Sequence, residues 1–234
     1  MKNVLITGSS RGLGYALAEE YAANGFYVFA CARDIKTDGL KRLKEKYKEN
    51  ISLIIMDVSH SESVERAAEQ VKQMVTHLDI IINNAAVHSE DSFAELETVN
   101  IDNCIEVYNI DALGPLRVTK AFCSLLDHGE LKVLANISSE SGSISDCKRE
   151  KEFDYCMSKA ALNMESKLLQ NYLIKRDIKV LAIHPGWIRS DMGGANADFS
   201  TNESAKNVLN IIDQYKDNLD GPVFVDYTGK ALNY

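Results

Sequence analysis

The stretch Thr7-Gly8-Ser9-Ser10-Arg11-Gly12-Leu13-Gly14 follows the apolar run Val4-Leu5-Ile6 and leads into a helical pattern from Gly12 to about Ala23. Glycines placed where a strand turns into a helix allow a tight turn and a close backbone approach to a phosphate, which the helix N-terminus stabilises. The spacing is G-x-x-x-G-x-G, not the commoner G-x-G-x-x-G. The same residues also fit G-x-S-x-G, the strand–turn–helix of a hydrolase nucleophile elbow, with Ser10 as nucleophile and His184 as its distant base. That alternative puts the nucleophile on the very first strand and leaves Gly14 unexplained.

Outward from this loop, short apolar runs alternate with helical stretches. Strands are predicted at Phe26 to Ala32, Ile51 to Met56, Ile80 to Ile82, Leu131 to Ile137, Ile178 to Ile183 and near 222–225. Helices are predicted at Leu40 to Lys48, at Ser61 to Thr76 with Ser61 as N-cap, over most of 102–127, at 155–175 and near 203–216. Strands this apolar are buried on both faces, and their alternation with helices implies right-handed crossovers and a parallel sheet. The fold class is therefore α/β: a Rossmann-type doubly wound, mostly parallel sheet of about seven strands with helices on both faces.

The chain has 234 residues, 26 Lys+Arg against 34 Asp+Glu and a net charge of −8. The length allows one or two domains, and with no linker, no repeat and three prolines a single domain spanning 1–234 is expected. The acidic balance argues against a nucleic-acid partner. The longest apolar runs, such as Ile80-Ile81-Ile82, are too short to span a membrane, and polar residues 7–11 interrupt the N-terminal apolar stretch too early for a secretory signal. Five irregularly spaced cysteines read as reduced thiols in a cytoplasmic protein. The five histidines have no ligand spacing, so no metal site is expected.

Two further features carry chemistry. Arg33 lies 19 residues after Gly14, at the end of the second strand. An acidic residue near there would bind the ribose diol of NAD, whereas an arginine favours the 2′-phosphate of NADP. Arg11 can converge on the same phosphate, so NADP(H) is expected over NAD, although Asp34 follows at once. Tyr155 and Lys159 are four residues apart on one helix face. A phenol has an ordinary pKa near 10, and a close ammonium lowers it, which suits the pair to exchange a proton with a substrate oxygen.

The order of motifs unites these features. The glycine loop, Asp57-Val58, Asn83-Asn84-Ala85-Ala86, Ser139, Tyr155/Lys159 and Pro185-Gly186 follow one another, the strand-linked ones at strand carboxyl ends, where open α/β sheets bind ligands. The chain resembles the short-chain dehydrogenase/reductase family along essentially its whole length. His184-Pro185-Gly186-Trp187-Ile188-Arg189-Ser190-Asp191-Met192-Gly193-Gly194 is similar to the branch of sniffer-type carbonyl reductases and bacterial C-factor-like proteins, as is the ending Phe224 to Lys230.

The resemblance implies an NADPH-dependent oxidoreductase that reduces a small carbonyl compound. Tyr155 matches the catalytic acid, Lys159 the residue that tunes it and holds the nicotinamide ribose, and Ser139 the serine on the substrate oxygen, with Ser138 as the fallback. Gly8, Ser10, Arg11, Gly12, Leu13, Gly14, Arg33, Asp57, Val58, Asn84, Ala85, Ala86, Pro185, Gly186, Ile188 and Ser190 match cofactor-binding positions. Ala86 replaces the usual glycine. The family's fourth catalytic residue, an asparagine acting through its backbone carbonyl, aligns with Asp111. Pro115 lacks an N–H and so leaves that carbonyl free of its helical partner, while the Asp111 carboxylate could pair with Lys159 or point elsewhere. These departures leave open an alternative, an NADP(H)-binding sensor or signalling protein with weak or no turnover. A substrate lid is expected over about 186–204, and 147–152 reads as a charged insertion near the pocket mouth. The family often dimerises through the helix carrying the tyrosine, so a homodimer is expected.

Overall fold

The computed structural model describes residues 1–234. Seven strands, β1 (Asn3–Thr7), β2 (Tyr27–Ala32), β3 (Ile51–Ile55), β4 (Ile80–Asn83), β5 (Val133–Ile137), β6 (Lys179–His184) and β7 (Phe224–Asp226), form one sheet in the order β3-β2-β1-β4-β5-β6-β7. Every neighbouring pair is parallel. β1, β5 and the first five residues of β6 are buried throughout, as a sheet covered on both faces requires. Strand order reverses between β1 and β4, so a crevice opens there at the carboxyl ends of the strands.

The helices are α1 (Gly12–Ala23), α2 (Asp38–Tyr47), α3 (Ser61–Met74), α4 (Asn103–Asp111), α5 (Leu113–Leu126), α6 (Phe153–Leu173) and α7 (Thr201–Tyr215). One buried cluster joins the sheet to α1, α2 and α7 through Leu17, Tyr21, Leu40, Leu43, Val208 and Ile212. The opposite face packs on α3 and α5 through Val64, Val71, Val118 and Phe122. No helix is long and apolar enough to cross a membrane.

Three local expectations change. Ser61 is the first residue of α3 and His60 takes the cap position, without a side-chain cap bond; Ser63 instead accepts from the Asp57 amide at 2.9 Å. The region 102–127 is two helices meeting at Ala112 (φ −112°, ψ −60°). Pro115 in the first turn of α5 supplies no N–H to the Asp111 carbonyl, and the helix breaks at that point. The expected lid boundary of 186–204 runs into α7, which begins at Thr201 behind a capping box of Ser200 and Glu203.

Asp79 holds the amino-end edge of the sheet in register. It is fully buried, with Oδ2 accepting the Asn3 amide at 2.7 Å and Oδ1 accepting the Glu130 amide at 2.7 Å. Replacing it leaves those amides unpaired, at about 1–3 kcal/mol each. Asp79→Ala is expected to lower unfolding stability by about 2–4 kcal/mol in urea melts with an unchanged m-value; a loss under about 0.5 kcal/mol would show that Asp79 does not hold these strands.

Candidate active site

The crevice is a continuous cavity of about 810 Å³. At one end the loop after β1 is pressed against the loop after β4. The Asn84 side-chain amide donates to the Thr7 carbonyl at 2.9 Å, and the Thr7 hydroxyl accepts the Asn84 and Ala85 amides at 2.9 and 3.0 Å. A Cβ on Gly14 would lie 2.3 Å from the Gly8 carbonyl oxygen and 2.5 Å from Asn84 Nδ2, so only glycine permits this approach. Gly8 (φ +68°) and Gly12 (φ +59°) both take left-handed backbone.

Gly8, Ser10, Arg11, Gly12, Leu13, Gly14, Arg33, Asp57, Val58, Asn84, Ala85, Ala86, Ser139, Tyr155, Lys159, Pro185, Gly186, Ile188 and Ser190 all line this one cavity. Asp57 accepts the amide and hydroxyl of Ser59 at 3.0 and 2.6 Å. Burial pushes its carboxyl up, but the Ser59 bonds, His60 and Arg33 outweigh that and hold it below the usual range. Arg33 is exposed on the wall. Arg11 is engaged elsewhere than expected: its Nη1 pairs with Asp191 Oδ2 at 2.6 Å, across the mouth of the cleft. Ser10 has no histidine partner. The ring of His184 lies 6.1 Å from that of Tyr227 and its Nδ1 is unbonded, which removes the hydrolase arrangement.

The other end holds the polar trio. Lys159 Nζ lies 5.3 Å from the centre of the Tyr155 ring and donates to the Ile137 carbonyl at 3.2 Å. The Ser139 hydroxyl accepts the Ser141 amide and lies beside the Ser141 hydroxyl at 2.9 Å. The Ser138 hydroxyl is committed to Asn163 Oδ1, which leaves Ser139 as the one free to face Tyr155.

The Asp111 side chain points at Lys159, one of the two arrangements expected. It is fully buried; Oδ1 accepts the Val87 amide at 2.9 Å, and Oδ2 lies 3.3 Å from Lys159 Nζ, in ion-pair reach without hydrogen-bond alignment. Burial pushes the Asp111 carboxyl up to about 6 despite Lys159. Burial alone would depress the Lys159 ammonium, but Asp111 and Tyr155 hold it above its ordinary value. The Tyr155 phenol is raised, since burial exceeds the downward pull of Lys159, and Asp111 works against that pull. The expectation that Lys159 lowers the phenol is thus met only as one contribution, not as the net result.

The segment 187–199 folds on itself. The Phe199 carbonyl accepts the Arg189 amide, the Phe199 amide donates to the Trp187 carbonyl, and the Arg189 guanidinium holds the Ala197 and Asp198 carbonyls. Trp187 and Met192 line the cavity, whereas Phe199 packs on Tyr227 with ring centres 4.8 Å apart. The charged segment 147–152 reaches the site, with Arg149 and Glu152 on the cavity wall.

Sequence reasoning missed His88, Phe93, Glu140 and Asp154. The His88 ring lies 4.2 Å from that of Tyr155. Asp154 accepts the Ser89 amide at 2.8 Å and the Ser92 hydroxyl at 2.6 Å, and so ties the loop after β4 to the start of α6. The only signal for His88 was its place two residues beyond Asn84-Ala85-Ala86; long-range pairing gave none for the others.

The short chain dehydrogenase family model matches residues 2–201. The chain belongs to the short-chain dehydrogenase/reductase family. An uncharacterized oxidoreductase of Schizosaccharomyces pombe is 30% identical over 254 residues, covering 100% of this chain and 98% of the relative. The C-signal protein of Myxococcus xanthus is 35% identical over 155 residues, 66% of this chain and 92% of the relative. An NADPH-bound carbonyl reductase from chicken fatty liver superposes with a TM-score of 0.90 at 27% identity, covering 100% of this chain and 99% of that one. The doubly wound fold and the family agree with the sequence reading, and the likeness to C-signal accords with its C-factor-like part.

The raised Asp111 carboxyl has a thermodynamic signature. With a folded value of about 6 and an ordinary one near 3.9, the folded state holds the extra proton, so this group stabilises the fold at low pH and the contribution is lost as pH rises through about 6. Across about pH 4 to 6.5, wild-type stability is expected to fall relative to Asp111→Asn by about 2 kcal/mol, read from urea melts. Parallel pH profiles for the two proteins would show that Asp111 ionises freely.

Proposed function

We propose that this short-chain dehydrogenase/reductase is an NADPH-dependent carbonyl reductase. The observation that carries the reading is the convergence of Ser139, Tyr155 and Lys159 with a glycine cradle in one cavity. The cradle fits a dinucleotide: Gly8 and Gly14 let the loop after β1 close on the loop after β4, and Gly12 leaves open space at the start of α1, where a pyrophosphate would meet the helix N-terminus. Arg33 would take the 2′-phosphate, Asp57 and Val58 the adenine, Asn84 to Ala86 its ribose, Lys159 the second ribose, and Pro185, Gly186, Ile188 and Ser190 the nicotinamide side. Bound NADPH supplies the hydride.

The chain supplies the proton and the geometry. The Ser139 hydroxyl donates a hydrogen bond to the carbonyl oxygen and fixes it beside Tyr155. The Tyr155 hydroxyl gives its proton to that oxygen as negative charge develops. The Lys159 ammonium stabilises the resulting phenolate. Asp111 balances the Lys159 charge inside the protein, where an unpaired ammonium is costly. Trp187 and Met192, on the segment proposed as the lid, help to exclude water.

Asp111 and the likeness to C-signal favour a second reading, an NADP(H)-binding sensor or signalling protein with little turnover. Exposed Ile105 and Tyr108 on α4, with Met164, Leu168 and Tyr172 on α6, support a homodimer through these helices, and five free cysteines accord with a cytoplasmic setting.

The deciding experiment follows NADPH oxidation over a panel of aldehydes and ketones. Tyr155→Phe is expected to lower kcat by at least about 10²-fold while NADPH affinity stays within about threefold; unchanged turnover would refute the mechanism, and tight NADPH binding without turnover by the wild type would favour the sensor. Arg33→Ala is expected to weaken NADPH binding by about 10–100-fold, the worth of a charge-assisted phosphate contact, and to leave NADH affinity unchanged. An equal loss for both cofactors would place the 2′-phosphate elsewhere.

A further inference from the structure

Charged side chains line both ends of the cavity. At the glycine-loop end Arg11 and Arg33 lie among Asp34, Asp57 and Asp191, with Arg11 paired to Asp191. At the Tyr155 end the one arginine, Arg149, lies between two carboxylates: Nη2 is 2.6 Å from Glu140 Oε1, and Nη1 pairs with Glu152 Oε2. This trio carries a net charge of −1. It is fixed in place, since the Glu152 side chain is only 10% exposed and its backbone amide donates to the Ser92 carbonyl at 2.9 Å. Of the other nearby cations, Lys159 pairs with Asp111 and Lys151 with Glu95 at 2.6 Å, while Lys148 is exposed and does not line the cavity. His88 and His184 line the same cavity, and burial holds both below the ordinary histidine value.

The surrounding chain strengthens the sign. Residues 86–100 contain four acidic side chains and no lysine or arginine; residues 139–154 contain five acidic and three basic. The two segments together carry six of the eight net negative charges of the protein, and Glu140 and Glu152 are the acidic side chains among them that line the cavity. Charge concentrated at a concave, partly desolvated mouth acts on an incoming ligand more strongly than the same charge spread over the surface.

We propose that Glu140, Arg149 and Glu152 form a charge filter at the substrate mouth, selecting carbonyl compounds that bear an ammonium group and refusing carboxylates. The proposal rests on the reading of this cavity as that of a carbonyl reductase. A carboxylate-bearing substrate would find the one guanidinium at this end already held by two carboxylates. An ammonium-bearing one is drawn toward those carboxylates as it approaches, while Phe93, Trp187 and Met192 on the cavity wall accept its hydrocarbon body.

The test uses three ketones on one skeleton at pH 7 with NADPH: 4-acetylbenzylamine, 4-acetylbenzamide and 4-acetylbenzoate. The expected order of kcat/KM is ammonium, then amide, then carboxylate. The ends of the series differ by about tenfold at low salt, and the gap narrows as ionic strength rises from about 0.05 to about 0.5 M. Glu140→Gln with Glu152→Gln leaves Arg149 uncompensated and is expected to raise kcat/KM for 4-acetylbenzoate above that for 4-acetylbenzylamine. Equal values for the three ketones, or a wild-type preference for the carboxylate, overturns the filter while the reductase reading stands. If the double variant does not fold, the salt dependence of the wild-type series separates the same outcomes: a gap that narrows with salt supports the filter, and a gap indifferent to salt overturns it. Absence of NADPH oxidation with every ketone, including the wider panel, overturns the reductase reading and the filter with it.

Discussion

The closeness of two loops governs the rest of the molecule. Gly14, the Gly8 carbonyl and the Asn84 amide approach within distances that no Cβ could share, and Thr7 binds both loops through its hydroxyl and carbonyl. That contact sits where the strand order reverses, so it closes the floor of the crevice and leaves its mouth open. Arg33 at the end of β2 and Tyr155 at the start of α6 then face one cavity from opposite ends. In the proposed reading a dinucleotide anchored by its phosphates at the floor would be aimed at the phenol, and the sheet, with both faces buried, would keep the two ends at a constant separation.

At the reactive end the charges are interdependent. Tyr155 is pulled toward phenolate by Lys159 and away from it by burial and by Asp111. Lys159 keeps its proton because Asp111 answers its charge, and Asp111 is itself reluctant to ionise. A side-chain carboxylate at this position thus enters the electrostatics directly, beside a carbonyl that Pro115 deprives of its helical donor. Loop and helix are held to this arrangement by Asp154, which binds Ser89 and Ser92 immediately before Tyr155 in sequence.

Much of this is legible in the residues in order. Val4 to Ile6, Ile80 to Ile82 and Val133 to Ile137 are apolar enough to specify buried parallel strands, and the spacing of Gly8, Gly12 and Gly14 specifies the turn. Tyr155 and Lys159 meet because a helix brings i and i+4 together. What escapes the sequence is long-range. Arg11 reaches Asp191, 180 positions away; Arg149 reaches back to Glu140 across a loop; and His88 packs on Tyr155 from a different element. The break at Ala112, beside Asp111, is concealed by a continuous helical pattern over 102–127. The exchange of Ser61 for His60 at a helix cap is the ordinary one-residue uncertainty of a helix end.

The central claim is that the cradle and the Tyr155 end serve one hydride transfer. The most direct measurement gives the wild-type protein NADPH deuterated at the transferring C4 position with an aldehyde and ketone panel and examines the products by mass spectrometry and NMR. The account predicts an alcohol carrying one deuterium on the carbinol carbon and a hydroxyl proton drawn from solvent. Labelled NADPH that binds but is recovered unchanged, with no alcohol formed from any member of the panel, would contradict it.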